Sequence, residues 1–412
     1  MRRTLDRRHF PVSGVAHGEL VVPPAFSHPT RGEVGCPAAP VAVPAGTPVR
    51  HTPVRPGADA VLHTVSYVDP SGAVVGLAVA AHRDDEHAQS VAEQAVTTWT
   101  AVMRTRRVLL ETTGPSCAGL RHEAAMIART GGPVAVLASA ADRRDVSSHW
   151  PWRDVRLVER LADLSPGSTV VLPAHGNTAT ATEVHAATAR GVRVLDATCP
   201  LVARAHATAR RFADEEARVI VVGGQEDAAA PPLAAQATGA TVVTTIADIE
   251  ALPLDPPAQV AYVVSPGIAA EDAGALTTRL RQRFPGTIGQ HPNELCYAAS
   301  DRRAAIRAVA SCSELTLVLG APESTDTQAA TATATATGNR VERLASLAEL
   351  RPEWLAQASS VGILATTSVR QGLAGELLEV LSGLGPTSVA RRHVTTDVQR
   401  ANPAPAKAKR AS

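Results

Sequence analysis

Short apolar runs, each followed by a loop of small and polar residues and then an Ala/Arg-rich stretch, recur from about residue 106 to residue 390. They are clearest in Arg107–Glu111, Val134–Ser139, Thr169–Leu172, Val192–Leu195, Arg218–Val222, Gln259–Val264, Leu315–Leu319 and Val361–Ala365. Continuous Val/Leu/Ile runs predict strands covered on both faces, since a half-exposed strand would alternate apolar with polar. Alternation with helical stretches makes these parallel sheets of an α/β fold. The length of the segment suits two or three small modules better than one.

Upstream the pattern changes. Val61–Val68 and Ala73–Ala80 flank Asp69-Pro70-Ser71-Gly72, which predicts two strands joined by a turn. Val91, Ala95, Val96, Trp99 and Met103 then recur at helical spacing behind Asp84, Asp85 and Glu86. Residues 58–105 are therefore expected to form a small α+β unit. Residues 1–57, rich in Pro, Gly, Arg and His with little periodicity, read as a flexible arm, and residues 391–412 as a disordered tail. The Ala-Thr alternation at 331–337 is compatible with strand or helix. Its stop at Gly338-Asn339 and the loop before it favour helix.

Charge removes some functions. The chain of 412 residues has 40 Lys and Arg against 39 Asp and Glu, and its only lysines are Lys407 and Lys409. Nucleic-acid binding needs a clustered surplus of basic side chains, and none is present. No apolar run reaches the roughly 18–20 residues that span a bilayer, and Met-Arg-Arg-Thr-Leu-Asp-Arg-Arg is not followed by an apolar signal core. A cytoplasmic protein without a membrane partner is expected. Five scattered cysteines then do not suggest a disulfide framework.

In open α/β sheets ligands gather beyond the carboxyl ends of the strands. The loops there include Ser116-Cys117-Ala118-Gly119, Pro173-Ala174-His175-Gly176, Asp196-Ala197-Thr198-Cys199-Pro200, Gly223-Gly224-Gln225, Ser265-Pro266-Gly267, Ala321-Pro322-Glu323-Ser324-Thr325 and Thr366-Thr367-Ser368. Cys117 and Cys199 fall in two of them, and Cys296 precedes the helical stretch Ala298–Ala310. Each cysteine stands at a helix start, roughly one module from the next, where the helix field favours a thiolate. Spacing alone leaves two readings open: convergence on one metal centre, or three small buried hydrophobes, because no Cys-x-x-Cys pair is present. Cys312, between a helix and a strand, reads as a small buried hydrophobe, and Cys36 as incidental.

These residues resemble the 4-hydroxy-3-methylbut-2-enyl diphosphate reductase (LytB/IspH) family. The resemblance covers about 106–385 and rests on Cys117-Ala118-Gly119, Ala174-His175-Gly176, Asp196-Ala197-Thr198-Cys199-Pro200-Leu201-Val202 with His206 behind it, Arg283-Phe284-Pro285 and Leu295-Cys296-Tyr297-Ala298. It implies a trefoil of three α/β modules, placed at 106–198, 199–293 and 294–390, around a [4Fe-4S] cluster held by Cys117, Cys199 and Cys296. It also implies reductive removal of an allylic hydroxyl to give isopentenyl and dimethylallyl diphosphate, with ferredoxin or flavodoxin as electron donor. His175 then becomes a catalytic and substrate-binding residue, and Ser324, Thr325 and Ser368 bind the diphosphate. His206, on a helix face, is expected to be structural.

The departures from the family pattern matter as much. Ala138 stands where the family has a diphosphate-binding histidine. Asp227 and Ala229 replace a second such histidine and the proton-relaying glutamate, and Pro266 replaces an active-site threonine. The Ser-x-Asn signature becomes Ser324-Thr325-Asp326. Aspartates in a diphosphate cradle add like-charge repulsion. Two alternatives therefore stand beside the usual reductase: a diverged paralogue acting on a different hydroxylated substrate, and a non-catalytic iron–sulfur binding protein.

Overall fold

The computed structural model describes residues 5–44, 46–114, 117–138, 155–224, 227–254 and 259–396. The chain divides into two compact units, one formed by Met1–Gly114 with Ala305–His393, the other by Pro115–Ala304 with the residues from Val394 onward.

The second unit holds two small sheets, both wholly parallel. One runs Val155–Val158, Val134–Leu137, Thr169–Leu172, Arg193–Asp196 across the sheet. The other runs Thr241–Val243, Arg218–Val222, Val260–Val264, Ile288–Gly289. Their central strands are buried on both faces, as the unbroken apolar runs require. Helices Ala118–Arg129, Ala181–Ala189, Pro200–Asp214 and Ala270–Arg283 follow strand ends and seal those faces.

The first unit carries a five-stranded parallel sheet in the order Arg340–Leu344, Leu315–Leu319, Ser360–Ala365, Arg106–Glu111, Thr387–Arg392. This corrects the expected module boundary at 106. Arg106–Glu111 hydrogen-bonds to strands some 250 or more residues later, and strand order is a long-range property that local pattern does not carry. The Ala-Thr stretch lies in helix Thr325–Thr335, which extends to Ala336 as its cap. Thr387–Arg392 takes the first residues of the expected tail, whose residues 397–412 lie outside the described ones.

The flexible arm is also corrected. Asp6–Ser13 pairs antiparallel with Ala60–Val68, which pairs with Val74–His82, and these belong to an eight-stranded sheet. Asp6–Ser13 escapes detection because Arg7, Arg8 and His9 are exposed on both of its faces while only Val12 is fully buried. The sheet packs through helix Glu86–Ala101 into a core shared with the five-stranded sheet, in which Val34, Leu62, Leu77 and Trp99 join Leu315, Leu317, Leu377 and Leu381. Cys36 belongs to this core, and burial pushes its thiol up to about 12. Cys312 is exposed, contrary to expectation, because it sits in the turn that ends helix Ala298–Ala310 rather than on that helix's apolar face. Among the described residues no helix is long and apolar enough to cross a membrane.

Candidate thiolate site

All three expected cysteine ligands lie in the second unit, half-buried and free of disulfides. Cys117 is the N-cap of helix Ala118–Arg129, in extended backbone (φ −68°, ψ 170°), and its Sγ accepts from the Leu120 N–H at 3.4 Å. A thiol at an N-cap meets the unpaired N–H groups and the positive end of the helix dipole, which favour its anion. Cys199 caps helix Pro200–Asp214, with Pro200 at the first helical position, where its missing N–H costs nothing. The Asp-Ala-Thr-Cys string has a local reason: Asp196 Oδ1 accepts from the Thr198 N–H at 2.9 Å, turning the chain out of its strand. Cys296 follows the short helix Pro292–Glu294 and precedes Ala298–Ala310.

Long-range bonds bring the loops together. The Cys199 N–H donates to the Ala174 carbonyl at 2.9 Å. Buried Glu123, on the helix behind Cys117, accepts from the Ala174 N–H at 2.7 Å. His175 Nε2 lies 3.5 Å from Cys117 Sγ. Buried Gln290 ties the Cys296 loop to Val260–Val264, accepting from the Val264 N–H at 3.1 Å and donating to the Glu294 carbonyl at 3.2 Å. Glu123 and Gln290 were not singled out in the sequence. The available signal was a polar residue on an otherwise apolar face, and by itself it names no partner.

The electrostatics tie the thiols to one another. Burial pushes Cys296 up to about 11, and the charges of Cys117 and Cys199 add to the shift. Burial also opposes ionisation of Cys117, but the hydrogen bond and charge of His175 outweigh it and lower its pKa. His175 moves the other way: burial disfavours its cation, and the bond to Cys117 with the charges of Cys117, Asp227 and Glu123 overrides this and raises its pKa. Among the described residues no three His, Cys, Asp or Glu side chains close around a single ion. Ligands of one ion sit about 2.3 Å from it, whereas a multi-iron cluster holds its thiolates on different irons, farther apart. Free thiols at three helix starts, close enough to feel each other's charge, suit the larger group.

The remaining expected site residues divide between the two units. Ser324, Thr325 and Ser368 lie in the first unit, at the ends of Leu315–Leu319 and Ser360–Ala365. Ser324 caps helix Thr325–Thr335 without a side-chain cap bond, and Thr325 is exposed. Ser368 Oγ accepts from the Ala321 N–H at 2.9 Å and pairs with Thr327 Oγ1 at 3.1 Å. Gly320 admits this hydroxyl network, since a Cβ there would stand 2.0 Å from Thr366 Oγ1. In the second unit Ala138 and Ala229 are buried and Pro266 half-buried, none offering a polar side chain. His206 is buried against Gly176 with its Nε2 unpartnered among the described residues, and burial lowers its pKa to about 4.

Parallel sheets whose strands lead through loops into helices, three of those helix starts carrying free cysteines, define an α/β protein. The model of the LytB protein family matches residues 108–382, and the chain belongs to that family. It is similar to 4-hydroxy-3-methylbut-2-enyl diphosphate reductase 2 of Mycobacterium bovis, 31% identical over 305 residues that span 71% of this chain and 91% of the relative. The corresponding reductase of Burkholderia pseudomallei is 29% identical over 289 residues, spanning 69% and 92%. Its fold is that of solved reductases. The Plasmodium falciparum E-1-hydroxy-2-methyl-but-2-enyl-4-diphosphate reductase superposes with a TM-score of 0.56 at 17% identity, over 72% of this chain and 96% of that one. A second, an (E)-4-hydroxy-3-methyl-but-2-enyl diphosphate reductase, gives 0.51 at 19% identity over 68% and 99%. The eight-stranded sheet lies outside the family match.

Proposed function

We propose that this protein is an iron–sulfur reductase that removes the hydroxyl of an allylic alcohol, the reaction type of the 4-hydroxy-3-methylbut-2-enyl diphosphate reductases it is similar to. The observation that carries the reading is the group of Cys117, Cys199 and Cys296 on laced strand-end loops, with His175 bonded to the first. These thiolates would hold a [4Fe-4S] cluster. When bound, such a cluster supplies electrons and one Lewis-acidic iron that no thiolate occupies.

The chain's own residues do the rest. Glu123 fixes Ala174, and so sets the position of His175. In this reading His175, with Nε2 3.5 Å from Cys117 Sγ, is the residue that would protonate the departing hydroxyl. In the relatives' reaction, two electrons and protons would convert the allylic diphosphate to isopentenyl and dimethylallyl diphosphate. Reduced ferredoxin or flavodoxin is the expected donor.

The test is anaerobic reconstitution followed by iron and sulfide counting and electron paramagnetic resonance. Four irons per chain, lost in Cys117→Ser, Cys199→Ser and Cys296→Ser, are expected. Absence of a cluster, or one indifferent to all three changes, refutes the reading. Turnover of 4-hydroxy-3-methylbut-2-enyl diphosphate with reduced ferredoxin then separates a reductase from a protein that only carries the cluster.

A further inference from the structure

The three cysteines belong to the second unit, and the first unit has a feature of its own, a cavity of about 1040 Å³. Helix Glu86–Ala101 forms part of its lining. Val91, Ala95 and Thr98, at i, i+4 and i+7, share a face of that helix, and buried Trp99 stands beside them. Three of these side chains are short, so they leave the space in front of the helix unfilled. Leu350 and half-buried Trp354 add apolar surface from the segment that follows strand Arg340–Leu344. Two of the four tryptophans of an aromatic-poor chain therefore line one cavity. Small-molecule pockets commonly measure about 300–1000 Å³, and indole walls favour a flat aromatic occupant through offset or edge-on ring contacts.

Five charged side chains line the same space, and two of them are already engaged. Glu342 Oε1 accepts from the Arg340 guanidinium at 2.9 and 3.0 Å. Glu349 accepts from the Ala345 N–H at 3.0 Å and from Ser346 Oγ at 3.3 Å. Arg343, Arg351 and Glu353 are exposed, and among the described residues none of the three has an ion-pair or hydrogen-bond partner for its side chain. The Arg351 guanidinium lies over the Trp354 ring, 5.8 Å from its centroid, which sets a cation beside the aromatic wall. Two unengaged guanidiniums against one unengaged carboxylate favour an anion, and the paired N–H donors of a guanidinium match the two oxygens of a carboxylate.

We propose that this cavity is a binding site for a planar aromatic carboxylate, with the ring against Trp99 and Trp354 and the carboxylate at Arg343 and Arg351. The site stands apart from the reductase reading and uses none of its residues. It draws on residues from both sides of the start of the family match at 108, so the segment upstream of that match completes it.

Isothermal titration of the full chain tests the proposal with one ring system in three charge states: 1-naphthylacetate, 1-naphthylacetamide and 2-(1-naphthyl)ethylamine. The carboxylate should bind at least about tenfold tighter than the amide or the amine. Arg343→Gln and Arg351→Gln should each weaken the carboxylate about fivefold and leave the amide within about twofold. Trp354→Ala should weaken all three probes alike, because it removes the ring contact and no charge. Should Trp354→Ala fail to fold, the two arginine variants, whose side chains are exposed, still decide the matter. Absence of carboxylate binding, preference for the amide or the amine, or a carboxylate affinity that neither arginine variant changes overturns the proposal.

Discussion

Gly119 lies directly against Cys199: a methyl group at Gly119 would stand 3.0 Å from Cys199 Cβ and 3.4 Å from its Sγ. The first turn of the helix behind Cys117 therefore closes on the second thiol, and only a residue without a side chain leaves that thiol where it is. Gly119→Ala asks the neighbour to yield by a few tenths of an ångström, and Gly119→Val asks for more than a packed interior gives. Iron content after anaerobic reconstitution should fall slightly in the first variant and to less than about half in the second, with unfolding changed by about 1–3 kcal/mol at most. Full iron loading of Gly119→Val would show that the thiols are not held at fixed separation.

The three thiols should also differ in reactivity before any metal is bound. Burial sets Cys296 at about 11, while His175 brings Cys117 below its ordinary value of 9.0. The Cys117 thiolate is therefore the more populated of the two at neutral pH, and its lower intrinsic nucleophilicity offsets only part of that advantage. Iodoacetamide at neutral pH should label Cys117 faster than Cys296 in metal-free protein, as read by peptide mass spectrometry. His175→Ala should narrow the ratio. Equal labelling in both proteins would remove His175 as the partner of that thiol.

How much of this was legible in the sequence depended on range. The buried strands were, because an unbroken run such as Leu315–Leu319 has few other uses; the places of Cys117 and Cys199 in strand-end loops followed from those runs, and that of Cys296 from the helical stretch after it. Strand order was not: nothing local to Arg106–Glu111 says that its neighbours are Ser360–Ala365 and Thr387–Arg392. Asp6–Ser13 was missed for a different reason, since a strand with charged residues on both faces looks like a polar segment. The aspartates could be named from the sequence as departures. That Asp326 already accepts from the Thr367 N–H, and that one Asp227 oxygen has no donor among the described residues, required coordinates.

Arg106 shows how the first unit is held together. It is 1% exposed and meets no carboxylate among the described residues; its guanidinium donates to the carbonyls of Leu384 at 3.1 Å, Leu355 at 3.3 Å and Val102. Those carbonyls belong to the last residue or C-cap of helices Leu373–Gly383, Pro352–Leu355 and Glu86–Ala101. Three negative helix ends thus compensate one buried cation. Burial still lowers its pKa, to about 10. Arg106→Met would leave the Val102 carbonyl without a donor among the described residues and take one of two donors from Leu384 and Leu355, which also accept from the Arg104 and Ala358 N–H groups, so a loss of about 2 kcal/mol in urea unfolding is expected. A loss below about 1 kcal/mol would mean that water replaces the guanidinium and that the site is not sealed.

His206 gives the fold a pH dependence with a definite sign. Burial, reinforced by the charge of Arg210, lowers its pKa from 6.5 to about 4. The folded chain therefore holds this imidazole neutral where an unfolded chain would protonate it. Its contribution is fully present above pH 6.5 and is lost as pH falls toward 4, amounting to on the order of 3 kcal/mol over that window. His28 and His63 are lowered by burial in the same direction, so the total slope does not identify the residue. The difference between the unaltered chain and His206→Gln does. Their urea midpoints should differ by a constant amount above pH 7 and converge or cross as the pH is lowered to 4, because only the former must discharge an imidazole to stay folded. Because the ring packs on Gly176, next to His175, amide exchange in that loop should rise over the same interval in the unaltered chain alone. Parallel stability profiles in the two proteins would place the protonation elsewhere.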